Sequence, residues 1–150
     1  TVAMESVGPS QLAVRIDTAD GHRVATLIAL GSVVVAAGLA VIGLPSIDLH
    51  GPLHRMGIMD PFCGGTRSAR LTILGQWGMA WTYNPLGLVT VIGATALVVR
   101  SAVGVLTHRW LNVSWHPSAR LRWLLISAAV VVLVLLEIRQ QSLAWLLRGP

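Results

Sequence analysis

The amino-acid sequence predicts an all-α integral membrane protein, with three transmembrane helices plus one interfacial or re-entrant amphipathic helix. Three observations carry this. The mean hydropathy is +0.70, and only 11% of the 150 residues are charged, where a soluble domain carries roughly a quarter. Three apolar runs are each long enough to cross the hydrocarbon layer. Tryptophans gather where those runs meet polar segments, as aromatic belts do at membrane surfaces.

Residues 1–23 read as a polar N-terminal tail, mostly solvated, and residues 24–150 as a single membrane domain. The tail mixes Glu5, Asp17 and Asp20 with Arg15 and Arg23. It is unlike the short basic start of a secretory signal, so the first apolar run is expected to be retained. The first span is expected over about 24–44, ended by Pro45. Ser32, Ala36 and Ala40 lie four apart along it, a spacing that gives a close helix-packing face.

A loop rich in Gly and Pro follows, ending near Gly65. From about 66 to 82 the pattern turns helical. Ala69, Ile73, Trp77 and Ala80 recur on one face, joined by Leu74 and Trp81. Ser68, Thr72, Gly75, Gln76 and Thr82 lie on the other. Such a helix suits the interface or a protein-covered re-entrant position. Asn84 and Pro85 then form a helix cap. Asparagine satisfies orphan backbone N–H groups, and proline fits the first helical position. The second span is expected over about 85–106 and the third over about 121–141, with a loop at 107–122 between them. Arg100 and Glu137 lie near span ends, where long charged side chains reach the headgroups.

The formal net charge is +5, and all the basic residues are arginines. Because these arginines flank the apolar segments, anionic lipids are the expected charged partner and nucleic acid is not. Three spans put the tail and the second loop on one side, and the first loop and C-terminus on the other. Arginine counts favour the tail side as cytoplasmic by a single residue. The expected setting is a bacterial plasma (inner) membrane, multi-pass, with the N-terminus inside.

The segment from Asp60 to Arg67 reads Asp-Pro-Phe-Cys-Gly-Gly-Thr-Arg, a glycine-bearing turn feeding a helix. Thr66 is the expected cap, and Arg67 and Arg70 add positive charge at the helix start. Thr66, Arg67 and Arg70 are therefore candidates for contact with a lipid phosphate or a partner's anion. The alternative is a tight turn with surface arginines. This segment, followed by Gly75-Gln76 and by Asn84-Pro85-Leu86-Gly87, resembles a family of small bacterial membrane proteins called domain of unknown function 2752. The resemblance covers roughly Gly51 to Gly93. It implies a fold and a membrane setting, and it brings no activity. Asp60 stands where the family's pattern has its first cysteine, and Gln76 where it often has aspartate. Any paired-cysteine chemistry of the family is thereby reduced here.

His50, His54, Asp60 and Cys63 supply imidazole, carboxylate and thiolate within a short loop, and zinc or copper takes such ligands. Gly51-Pro52 separates the histidines, however, and no Cys-x-x-Cys is present, so these are weak metal candidates beside the reading of interfacial histidines and a buried thiol. No histidine lies inside a span, which argues against a haem held between spans. No catalytic residue and no cofactor is expected. The expected function is that of a non-catalytic accessory subunit or assembly factor of a larger bacterial membrane complex. Its expected partners are other integral membrane subunits, such as a respiratory oxidoreductase. Metal or thiol handling at the Cys63 loop is the alternative, and a small oligomeric transporter the next.

Overall fold

The computed structural model describes residues 11–44 and 58–147. In chain order its elements are strand β1 (Gln11–Asp17), helix α1 (Arg23–Ile42), α2 (Gly65–Ile73), α3 (Trp77–Tyr83), α4 (Pro85–Thr107), strand β2 (Trp110–His116), α5 (Ala119–Ser142) and α6 (Ala144–Leu147). Three of the helices are long and apolar enough to cross a membrane. These are α1 with 20 residues, α4 with 23 and α5 with 24. At 1.5 Å per residue they span about 30–36 Å. Their bounds lie within two residues of the expected spans.

α1 and α4 pack together and against α2. The seam uses small residues, which let helices approach without a hydrophobic driving force between them in lipid. Ala29 and Ala36 of α1 and Ala94 of α4 are buried. Ser32 and Ala40 are half-buried, and the Ser32 hydroxyl donates back to Ile28 O at 2.9 Å. α5 differs from the other two spans. It packs against neither α1 nor α4, and its buried residues, Leu136 and Gln140, both lie near its C-terminus.

The tail and the second loop are not wholly irregular. β1 pairs antiparallel with β2, from Gln11 opposite His116 to Asp17 opposite Trp110. This two-stranded ribbon lies within the segments read from sequence as a polar, mostly solvated tail (1–23) and a loop (107–122), and adds strand structure there at 11–17 and 110–116. Both segments alternate in hydrophobicity, but their partners are far apart in sequence. The pairing also draws the tail and the second loop to one end of the molecule. The Cys63 loop and the C-terminal Leu147 meet at the other end.

The expected helix over 66–82 is two helices. α2 closes at Leu74 with Gly75 in the left-handed region (φ 74). Gly75 N–H donates to Thr72 O and Gln76 N–H to Leu71 O. This is the paired closure of a Schellman C-cap, and glycine is the residue that enters that conformation without strain. The burial of this segment is inside-out. Ser68 and Thr72 are buried while Trp77 and Trp81 are exposed, as lipid-facing surfaces require. The start of α2 also differs from expectation. Its cap is Gly64 (φ 77), without a side-chain bond, and Thr66 lies inside the first turn.

Candidate functional site

The Cys63 loop is held by the side chain of Asn84, and Gln141 Oε1 also accepts from Met59 N–H at 2.9 Å. Asn84 is wholly buried and stands in extended backbone just before α4. Its amide donates to Pro61 O and to Cys63 O, both at 2.9 Å. Its Oδ1 accepts from Leu86 N–H at 2.8 Å. Its own carbonyl accepts from the Ser68 hydroxyl at 2.7 Å, and its N–H donates to Ala80 O. The helix cap expected from Asn84 and Pro85 is present, and the same side chain also clasps the loop onto α4. Gly87, one turn on, makes room for this. A Cβ there would lie 2.7 Å from Ser68 Cβ and 2.8 Å from Gly65 O.

Asp60 turns the loop. Its Oδ1 accepts from Phe62 N–H at 2.7 Å and its carbonyl from Cys63 N–H at 3.0 Å, an Asx-type turn. The Asp60 carboxylate thus shapes backbone. Cys63 is 6% exposed and its sulfur lies 3.6 Å from Met59 Sδ. Met59, Cys63 and Leu147 form a small core with Tyr83, Leu143 and Ala144 around it. Burial pushes the Cys63 thiol up and the Asp60 charge adds to this, against the lowering influence of the Gly64 N–H and Arg67. A covered thiol held neutral is a poor nucleophile.

The C-terminal end of α5 closes the site from above. Arg139 donates to Trp81 O and Thr82 O, and Gln140 to Tyr83 O at 3.1 Å. These are the carbonyls that the end of α3 leaves without helical partners. Gln140 Oε1 and Arg139 Nη1 are buried without a hydrogen-bond partner among the described residues. Arg70 Nε donates to Leu39 O at 2.9 Å and so caps the end of α1. Arg67 lies over the Tyr83 ring, 5.7 Å from its centroid. Thr66 lines a groove of about 570 Å³ between α1, α2 and α4, whose walls include Ile28, Leu39, Phe62 and Val91.

His50 and His54 lie outside the described residues. Among the described residues no group of three His, Cys, Asp or Glu is placed to hold a metal ion.

A second polar cluster lies at the ribbon end. Both terminal nitrogens of Arg100 reach Asp20 Oδ1 at 3.1 Å. Its Nε donates to Leu111 O and Nη2 to Asn112 Oδ1 at 2.8 Å, and it lies 5.8 Å from the Trp110 ring centroid. Asp20 also accepts from His22 N–H and the Thr26 hydroxyl. Burial alone would raise its carboxyl, but those two bonds and Arg100 together hold it below its ordinary value of 3.8. Asn112 further joins Asp17, Ala19 and Gly21. Arg100 is thus a tie between the β1–α1 turn, α4 and β2 rather than a residue reaching out to the headgroups. The sequence held one signal of this: opposite charges at Asp20 and Arg100, each beside a span end on the same side.

The fold and site therefore define a helical membrane protein with three helices of spanning length, whose first loop is clasped to the start of α4. Residues 52–98 match the family model described as "Protein of unknown function (DUF2752)". That segment holds both the Cys63 turn and the Asn84 clasp, and over it the chain is similar to that family. No curated protein and no solved structure matches the chain.

Proposed function

We propose that this protein is a non-catalytic accessory subunit or assembly factor of a larger membrane complex, docking through its third span. The observation that carries this reading is the isolation of α5. It has 24 residues at a hydropathy of 2.4, and none of its most apolar window is buried. Arg139 and Gln140 hold it at its C-terminal end, so it is presented rather than loose. Along its middle, Ser127, Ala128 and Ala129 are exposed, and small residues permit a neighbouring helix to approach closely. Of the chemistry candidates among the described residues, Cys63 packs and Asp60 shapes a turn.

The partner class proposed is a respiratory or other energy-transducing assembly of a bacterial plasma membrane. Its support is size alone, since such assemblies carry small three-span subunits. The N-terminus is taken as cytoplasmic, and anionic lipid around Thr66, Arg67 and Arg70 is part of the same proposal. The test is purification in mild detergent through a C-terminal tag, with mass spectrometry and a visible spectrum of the product. Stoichiometric membrane subunits with haem bands are the expected result. Stoichiometric partners without haem would keep the accessory role and remove the respiratory one. A solitary, colourless protein would remove both.

A further inference from the structure

We infer that the two-stranded ribbon is a membrane-surface anchor, seating one face in the headgroup–acyl boundary of the bilayer that the spans cross, with the surrounding arginines on anionic headgroups. This goes beyond the accessory role and does not depend on it.

The register makes the face. Leu12 stands opposite Trp115, Val14 opposite Val113, and Ile16 opposite Leu111. Successive strand residues point to opposite sides, so these six share one face, and their exposures run from 41% to 68%. The other face carries Arg15, Asp17, Asn112 and Ser114. A two-stranded ribbon is marginal in water unless its apolar side is covered, and a contiguous apolar patch marks a binding surface.

Connectivity fixes where that face lies. Two residues separate β2 from α4, two separate it from α5, and five separate β1 from Arg23. All three tethers are ends of membrane-spanning helices, so the ribbon stays at the membrane boundary. A Cβ on Gly104 would lie 2.6 Å from the Trp110 ring, and Asn112 bonds Arg100. β2 therefore runs back beside the last turns of α4, with the Trp110–Asn112 face inward. The apolar face turns away from the helix pair at the depth where α1 begins. The ribbon's outer edges hold backbone groups that need water, which excludes the hydrocarbon centre and favours the interface.

Charge selects the occupant. Arg15, Arg23, Arg109, Arg120 and Arg122 are all exposed at this end. Of the two carboxylates at this end among the described residues, Asp20 is paired with Arg100 and Asp17 accepts from the Asn112 amide. A second copy of the chain would oppose arginine to arginine, whereas anionic headgroups neutralise them.

The test uses the full-length protein in vesicles of phosphatidylcholine with phosphatidylglycerol. Spin labels are placed one at a time at Val14→Cys, Val113→Cys and Ser114→Cys on a Cys63→Ser background. Oxygen reports lipid and a water-soluble nickel chelate reports solvent. The expected oxygen-to-nickel ratio at Val14 and Val113 exceeds that at Ser114 by roughly threefold or more, and falls when phosphatidylglycerol is omitted. Equal nickel access on both faces would overturn the inference, as would exclusion of both reagents at Val14 and Val113, which would mean a protein cover. If the Cys63→Ser background fails to fold, Trp115→Phe in the otherwise unaltered chain supplies the second readout. Loss of a blue-shifted emission component that lipids brominated near the headgroup had quenched supports the anchor, and loss of only a water-like, unquenched component overturns it.

Discussion

Asn84 engages every polar atom it has, and this makes its substitution diagnostic. Asn84→Ala would remove the bonds to the Pro61 and Cys63 carbonyls and from Leu86 N–H, at a cost of at least about 2 kcal/mol. The thermal midpoint in detergent, followed by tryptophan fluorescence, is expected to fall clearly. Asn84→Asp retains the acceptor for Leu86 N–H and loses both donors. A residue that only capped α4 would be rescued by aspartate, so failure of Asn84→Asp to restore the midpoint separates the clasp from the cap. Asp20 offers a pH test at the same scale. Its carboxyl lies below 3.8 in the folded protein, so its stabilisation is present above the unfolded value. That stabilisation is lost as pH falls through the lower folded value. The thermal midpoint is expected to be insensitive to this group near neutral pH, and Asp20→Asn is expected to flatten part of the fall in strong acid. An unchanged acid limb in Asp20→Asn would show the Arg100 tie to be energetically idle.

At the scale of elements, the α2–α4 contact depends on the missing side chain at Gly87. Gly87→Ala is expected to destabilise by about 1–3 kcal/mol through overpacking. Gly93→Ala, with nothing within 4 Å of its Cβ position, is expected to be neutral or stabilising, and melting of the two variants side by side checks both. The elements also show why some features were legible and others were not. The spans declare themselves because their signal is local and long. The Asn84–Pro85 cap does so because its chemistry acts within two residues. The ribbon was hidden because each strand's reason to exist lies far along the chain. In sequence Gly75 falls on the polar face of the helical pattern over 66–82, although glycine at the end of a helical pattern is the usual mark of a Schellman stop. The loop clasp was only half legible. Asn84 reads as a cap from sequence, but its bonds to Pro61 and Cys63 require the fold.

For the whole molecule, the free-standing length of α5 separates stability from assembly. Val132 is 50% exposed, so Val132→Trp is expected to leave the isolated protein's midpoint within about 0.5 kcal/mol of stability. The same substitution is expected to reduce the yield of co-purified subunits. Undiminished co-purification from Val132→Trp and a companion Ala129→Trp would move the docking surface elsewhere.

The pairing of β1 with β2 also bears on biosynthesis. β1 emerges first, and its partner follows about a hundred residues later, roughly 5–20 s of synthesis at about 5–20 residues per second. In that interval α1 and α4 must both enter the bilayer. The strands can meet only if the two helices cross in opposite directions and leave their ribbon ends on one side. A chain with α4 inserted the wrong way round would strand β2 across the membrane from β1. Closure of the ribbon, sealed by Arg100 on Asp20, is thus open only to a chain whose α1 and α4 cross in opposite directions.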